Sequence, residues 1–167
     1  MDNSKTLIIL RHAKSSWAEP GVQDFDRSLE PKGVKDITMM AGKMKAKVSE
    51  LEAIFSSPAE RAIHTAMLFA QTVGFPQEKI HVRKDLYTVG HLQLRDMVKA
   101  FKNDLSTVMV VGHNPTLTDF VNLFLDRPID NVPTSGIVGL TFSAKKWEGI
   151  EQKTLTSSFF HYPKEFR

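Results

Sequence analysis

Two uninterrupted β-rich runs, LIIL at Leu7–Leu10 and TVMVV at Thr107–Val111, most constrain what this chain can become. Neither alternates apolar with polar residues, so neither can lie with one face in water; each needs cover on both sides. The segments between them carry the period of a helix. Val34, Ile37, Met40, Ala41, Met44 and Val48 form one stripe over Pro31 to Val48, with lysines on the opposite, solvated face. Ile63, Ala66, Met67, Ala70 and Val73 form another, stopped by Gly74. Its start reads Ser57-Pro58-Ala59-Glu60, with Ser57 as cap, Pro58 in the first helical position and Glu60 completing a capping box. Leu94, Met97, Val98 and Phe101 mark a third helix, and Asn114-Pro115 opens a fourth that runs through Leu125. Further strands are expected at Ala53 to Phe55, Ile80 to Leu86, Gly136 to Phe142 and Lys153 to Tyr162. Strands alternating with helices predict a single α/β domain over residues 1–167: a three-layer αβα sandwich around a predominantly parallel sheet.

In such sheets ligands bind beyond the carboxyl ends of the strands. Three strand ends deliver polar groups there: Arg11-His12, then Ser56-Ser57 with Arg61, then Gly112-His113-Asn114. The two arginines offer planar forks of donors suited to phosphate oxygens. Helix starts at Ser57 and Asn114 add backbone N–H groups and positive dipole ends. An imidazole among these cations is biased toward its neutral, nucleophilic form, because nearby positive charge disfavours protonation. Such a group beside a phosphate held by two arginines is equipped for in-line attack on phosphorus. Glu60 and Asp85 are the carboxylates that could instead merely pair with Arg61.

Composition removes several other chemistries. Cysteine is absent, which excludes disulfides, thiolate metal sites and cysteine-dependent phosphatases. His64, His81, His91 and His161 show no spacing that would join His12 or His113 as metal ligands, and the arginines would repel a cation, so neither metal nor other cofactor is expected. The formal charge of +3 suits anionic ligands but is too weak and too dispersed to imply nucleic acid. No apolar run is long enough to span a bilayer, and MDNSKT lacks the basic-then-apolar pattern of a leader. A cytoplasmic location without a membrane partner is expected.

The motifs together resemble a known family. RHAKSS after the first strand, SSPAERAIHTA at the second strand-to-helix turn and VVGHNP at the later one look like the histidine phosphatase (phosphoglycerate mutase-like) superfamily, and in particular its small SixA-type phosphohistidine phosphatase branch. Arg27-Ser28-Leu29 with Gly33 is similar to the family's R-x-L-T-x-x-G stretch, and Leu86-Tyr87 with Gly90 to a segment after the third strand. The resemblance covers about Thr6 to Phe142 and implies a phosphoglycerate mutase-like fold. It implies that His12 is the nucleophile, forming a transient phosphohistidine, and that Arg11, Arg61 and His113 grip the phosphoryl oxygens. Ser57 and Ser15 become candidate additional donors, and no metal is required. Phosphate or other anions would occupy the site, and the implied partner is a phosphorylated protein, with histidine-phosphotransfer proteins in that class.

Three departures from the family pattern bear on the chemistry. Ala13 and Lys14 stand where the family usually has glycine and then an acidic residue or glutamine, and Glu30 stands where threonine is common. Asn114 follows His113 where acid-phosphatase relatives carry an aspartate, which leaves Asp85 as the candidate general acid. An alkoxide is a poor leaving group that needs a well-placed acid, whereas imidazole, with a conjugate-acid pKa of about 6.5, departs readily once protonated. A site with a weak or missing acid therefore suits a phosphorus–nitrogen bond. The leading expectation is a phosphatase for phosphohistidine on proteins, its short loops leaving the site open to a partner's surface. The alternatives are a phosphatase for small phosphate esters or nucleotides using Asp85, and a non-catalytic phosphate-binding module. A mutase fits less well, since the acid and the enclosing insertions are missing. Lys14 is expected to be solvated, and Trp17 to line or cover the pocket.

Overall fold

The computed structural model describes residues 3–167; the first two residues of the MDNSKT stretch lie outside the described residues. In chain order the elements are β1 (Ser4–Arg11), α1 (Pro31–Met44), β2 (Ala53–Ser56), α2 (Glu60–Val73), β3 (Ile80–Val82), α3 (His91–Lys99), β4 (Thr107–Gly112), α4 (Thr116–Val121), β5 (Ile137–Ser143) and β6 (Leu155–His161). They build one six-stranded sheet in the order β3-β2-β4-β1-β5-β6. The pairs β3-β2, β2-β4 and β4-β1 are parallel, while β5 runs antiparallel to β1 and β6 to β5. The sheet is thus mostly parallel, with an antiparallel hairpin on one side.

The continuous apolar runs are explained by their position. Successive side chains of a strand point to opposite faces. Leu7 and Ile9 of β1, with Val108 and Val110 of β4, enter a cluster with Leu94 and Val98 of α3 and Leu117, Phe120 and Val121 of α4. Ile8 and Leu10, with Met109 and Val111, enter a second cluster with Ile37, Met40 and Ala41 of α1 and Ala62, Ala66 and Phe69 of α2. One helix pair covers each face, giving the three layers that the unbroken runs demand.

Several element boundaries differ from expectation. The third strand ends at Val82, and Lys84–Leu86 forms a 3-10 turn that buries Leu86 while turning Asp85 outward. The helix expected over Asn114 to Leu125 occupies only Thr116–Val121. Beyond it, Leu123 and Phe124 donate to Phe120 and Val121 three residues back, and Asn122 bonds the backbone of Ile129 at both ends of its amide. The apolar period therefore continues past the end of the helix. At the start of α2, Ala59 holds the N-cap position and the expected capping box is not formed. Ser57 instead accepts a bond from the Ala59 N–H at 3.3 Å, in a turn that precedes the helix.

Candidate active site

The register brings the carboxyl ends of β2, β4 and β1 side by side, with Arg11 opposite Gly112 and Ser56 opposite Val111. A pocket of about 600 Å³ opens there. Arg11, His12, Ser15, Arg61 and His113 all line it, from strand ends and helix starts far apart in sequence. Ser57 does not line it but stands directly behind His113.

His12 follows the last residue of β1, and its Nδ1–H donates to the Ala13 carbonyl at 2.8 Å. That bond assigns the proton to Nδ1 and leaves the lone pair on Nε2. Burial pushes His12 from an ordinary 6.5 down to about 3, opposed by the Ala13 bond and reinforced by His113, Arg61 and Arg11. Burial likewise lowers His113 to about 4, with Arg61 adding to the effect and Asp24 opposing it. Both rings are neutral at physiological pH, with their centroids 5.2 Å apart. Expectation placed the cause in the surrounding cations; desolvation is the larger cause.

His113 Nε2 lies 2.7 Å from Ser57 Oγ. That oxygen already accepts from Ala59, so its own proton is available to Nε2, which assigns the imidazole proton to Nδ1. His113 Nδ1 is buried and has no hydrogen-bond partner, as are Arg11 Nε, Arg61 Nε and Ser135 Oγ. A buried polar group without a partner costs about 1–3 kcal/mol, and such groups mark catalytic or ion sites.

Both arginines are anchored through Nη1 to a backbone carbonyl. Arg11 Nη1 donates to the Val132 carbonyl at 3.0 Å, and Arg61 Nη1 to the Asp24 carbonyl at 2.6 Å. Arg61 Nη2 also donates to Asp24 Oδ2 at 3.0 Å. In both guanidiniums Nε is left without a protein acceptor, a donor on the side edge that an oxyanion could take.

Further residues support these groups from behind. Thr65 of α2, fully buried, accepts from the Ala13 N–H and donates to the Arg61 carbonyl, tying the nucleophile's loop to the arginine's helix. Ser135 adopts a left-handed φ of 60° and its N–H bonds the carbonyls of Arg11 and His12, fixing the end of β1. Gly33 allows α1 to pass close to Lys14, since a Cβ at that position would fall on the Lys14 carbonyl oxygen. Glu30 N–H donates to that same carbonyl at 2.9 Å.

The expectation for Asp85 is corrected, and the pairing of Arg61 with a neighbouring carboxylate, the lesser alternative, falls to a different residue. Asp85 does not line the pocket: its carboxylate faces outward and takes Arg83 Nε and Nη2 at 3.2 and 2.9 Å. Arg61 pairs with neither Glu60 nor Asp85 but with Asp24. Asp24 carries little mark in the sequence: nothing local separates it from Asp26 two residues on, and its one signal is a position three residues before Arg27. Asp24 Oδ1 receives Arg27 Nε at 3.2 Å and Oδ2 receives the Tyr87 hydroxyl at 2.6 Å. The Tyr87 bond and the arginines hold the Asp24 carboxyl down at about 2 against the opposing effect of burial. Glu30, the other carboxylate lining the pocket, stands 3.9 Å from Lys14. Arg27 donates to Ser15 Oγ at 2.6 Å and lies 3.5 Å from the ring centroid of Trp17, which is 76% exposed at the pocket's rim. Among the described residues no group of three or more His, Asp or Glu is placed to hold a metal ion, and no helix is long and apolar enough to cross a membrane.

Residues 7–91 match the sequence model of the histidine phosphatase superfamily (branch 1). The chain therefore belongs to that superfamily and is a phosphatase of the histidine phosphatase type. Within it the likeness is to the SixA type. A structure of a protein assigned as the phosphohistidine phosphatase SixA of Agrobacterium tumefaciens is 28% identical, with a TM-score of 0.72 over 81% of this chain and 90% of that one. The protein histidine phosphatase SixA complexed with tungstate, 20% identical, shares the fold with a TM-score of 0.79 over 97% of this chain and 99% of its own. By sequence, an uncharacterized protein of Mycobacterium leprae is 27% identical over 167 residues, spanning 93% of this chain and all of the relative.

Proposed function

We propose that the protein hydrolyses phosphohistidine on a protein substrate through a covalent intermediate at His12. Arg11, Arg61 and His113 Nδ1 bind the phosphoryl oxygens. His12 Nε2 attacks phosphorus in line; the new N–P bond forms as the substrate's N–P bond breaks, and the substrate histidine leaves as neutral imidazole because its ring already carries a proton. Water then attacks the His12 phosphoramidate, yielding inorganic phosphate and restoring His12. Charge on the transferring group is offset by the guanidiniums throughout.

The observation that carries the nitrogen-linked substrate is how Asp24 is held: its carboxylate receives Arg27, Arg61 and the Tyr87 hydroxyl. With Asp85 turned away, this carboxylate lies in the pocket, yet it is held as an anion down to about pH 2 and has no proton to give an alkoxide. A leaving group that supplies its own proton fits such a site. The open rim, with Trp17 exposed on it, fits a histidine presented on a partner's surface.

The test is phosphate release from a histidine-phosphorylated protein and from a phosphoserine peptide, with EDTA present, using wild type and His12→Ala. Release from the first substrate, abolished by the substitution, is expected. Faster release from the serine ester would overturn the nitrogen-linked reading and make Glu30 the next candidate acid. Stoichiometric binding without release from either substrate would make the protein a phosphate-recognition module.

A further inference from the structure

Three guanidiniums line one pocket, and Arg61 and Arg27 are only 5% and 8% exposed. Buried cations need a compensating charge and filled hydrogen bonds, or the fold excludes them. Both find that charge in a single residue. Asp24 sits on a 3-10 turn (Asp24–Asp26) in the loop between β1 and α1, its side chain 47% exposed. It engages Arg61 through its backbone carbonyl and Oδ2, Arg27 through Oδ1, and Tyr87 through Oδ2. These partners come from the start of α2, the end of its own loop and the segment after β3.

The manner of the Arg61 contact is informative. Asp24 takes one proton from each terminal nitrogen, Nη1 and Nη2, which occupies the end of the guanidinium. On the side edge, made of Nε and the second Nη2 proton, Nε is a buried atom that lacks a partner. A planar fork held at its end can rotate about neither its own axis nor its stem, so its side edge has one direction. Asp24 thus anchors Arg61 without covering the donors an oxyanion would use. Arg11 is held through Nη1, by the Val132 carbonyl, which carries no charge.

Resting on the phosphoryl-binding role proposed above for Arg61, we propose that Asp24 is a positioning residue for the reaction: it aims the side edge of Arg61 at the transferring phosphoryl group. The carboxylate lies on the far end of the guanidinium from that group, so it fixes the arginine's geometry without taking the phosphate's place.

The test is a double-mutant cycle with Asp24→Asn, Asp24→Ala, Arg61→Ala and Asp24→Asn/Arg61→Ala. Two quantities are read for each variant: affinity for inorganic phosphate by calorimetry, and kcat and KM for phosphate release from a histidine-phosphorylated protein. A thermal melt shows that each variant is folded, and the near-isosteric Asp24→Asn keeps the test available if Asp24→Ala unfolds. Loss of one charged hydrogen-bond partner should lower kcat/KM roughly tenfold to a hundredfold, with most of the loss in kcat, and should weaken phosphate binding. In the Arg61→Ala background, Asp24→Asn should change either quantity by less than about twofold. Tighter phosphate binding by Asp24→Asn with undiminished kcat would overturn the proposal, since Asp24 would then be competing for Arg61. An equal loss in both backgrounds would also overturn it. Phosphate affinity needs no turnover, so the cycle still judges Asp24 if the phosphohistidine reading itself fails.

Discussion

His12 and His113 are ordinary side chains placed in a setting that keeps them uncharged. A histidine bonded to a carbonyl through Nδ1 and shut away from water holds its lone pair on Nε2 at pH values where an exposed histidine would be protonated. Because the folded values, about 3 and about 4, lie below the ordinary 6.5, the unfolded chain binds more protons than the folded one as pH falls below 6.5. Both rings therefore cost the fold stability in acid, over the window from about 6.5 down through the folded values. Their readiness for phosphoryl transfer, by contrast, should persist well below 6.5. Phosphorylation of His12 in a single turnover is expected to lose its rate with a midpoint near pH 3, where His12 itself protonates, once the substrate's own titration is divided out. A midpoint at 6.5 would show that the rings are not desolvated as the structure has them.

At the scale of elements, the loop between β1 and α1 carries most of what distinguishes this site. It leaves β1 at His12, pairs Ser15 with Leu29 in an isolated bridge, and delivers Trp17, Asp24 and Arg27 to the pocket. The close approach of α1 to this loop depends on Gly33. Gly33→Ala would drive a methyl group into the Lys14 carbonyl, and backbone cannot yield as a side chain can. It should cost about 1–3 kcal/mol and lower kcat by displacing the segment after His12. Gly42→Ala in the same helix is the matched control. Nothing lies near its Cβ, and it should raise stability by roughly 0.5–1 kcal/mol with unchanged kcat. Paired denaturant melts read the opposite signs; a destabilised Gly42→Ala, or a neutral Gly33→Ala, would refute the packing argument. Helix α4 shows the limit of periodicity. Its apolar spacing runs on through Phe124, but the backbone has already tightened into three-residue bonds and Asn122 has turned to Ile129.

The whole molecule is a sheet with a separate core on each face, and Ile9 lies near the centre of one of them, fully buried between β4 and β5. Ile9→Ala should cost about 2–5 kcal/mol, read as a lower denaturant midpoint with an unchanged slope, because the neighbouring strands cannot close the cavity. A loss under about 1 kcal/mol would mean that the sheet repacks freely. Much of this architecture follows from the chain alone. Unbroken apolar runs must be covered twice, amphipathic segments between them supply the cover, and strands joined through helices run parallel, so Arg11, His12, Arg61 and His113 had to meet at one edge. Those determinants are local or periodic, and therefore visible in one dimension. The rest depends on contacts between residues far apart in sequence. Asp24 meets Arg61 across 37 positions and Tyr87 across 63, while Asp85, nearer to expectation, is captured by Arg83 two residues away. No spacing rule separates Asp24 from Asp26, and no composition says that Ser57 will turn from capping a helix to holding His113. A carboxylate's role is set by which cations and hydroxyls surround it, and a buried imidazole's charge by how much water it loses. Only the assembled fold decides either.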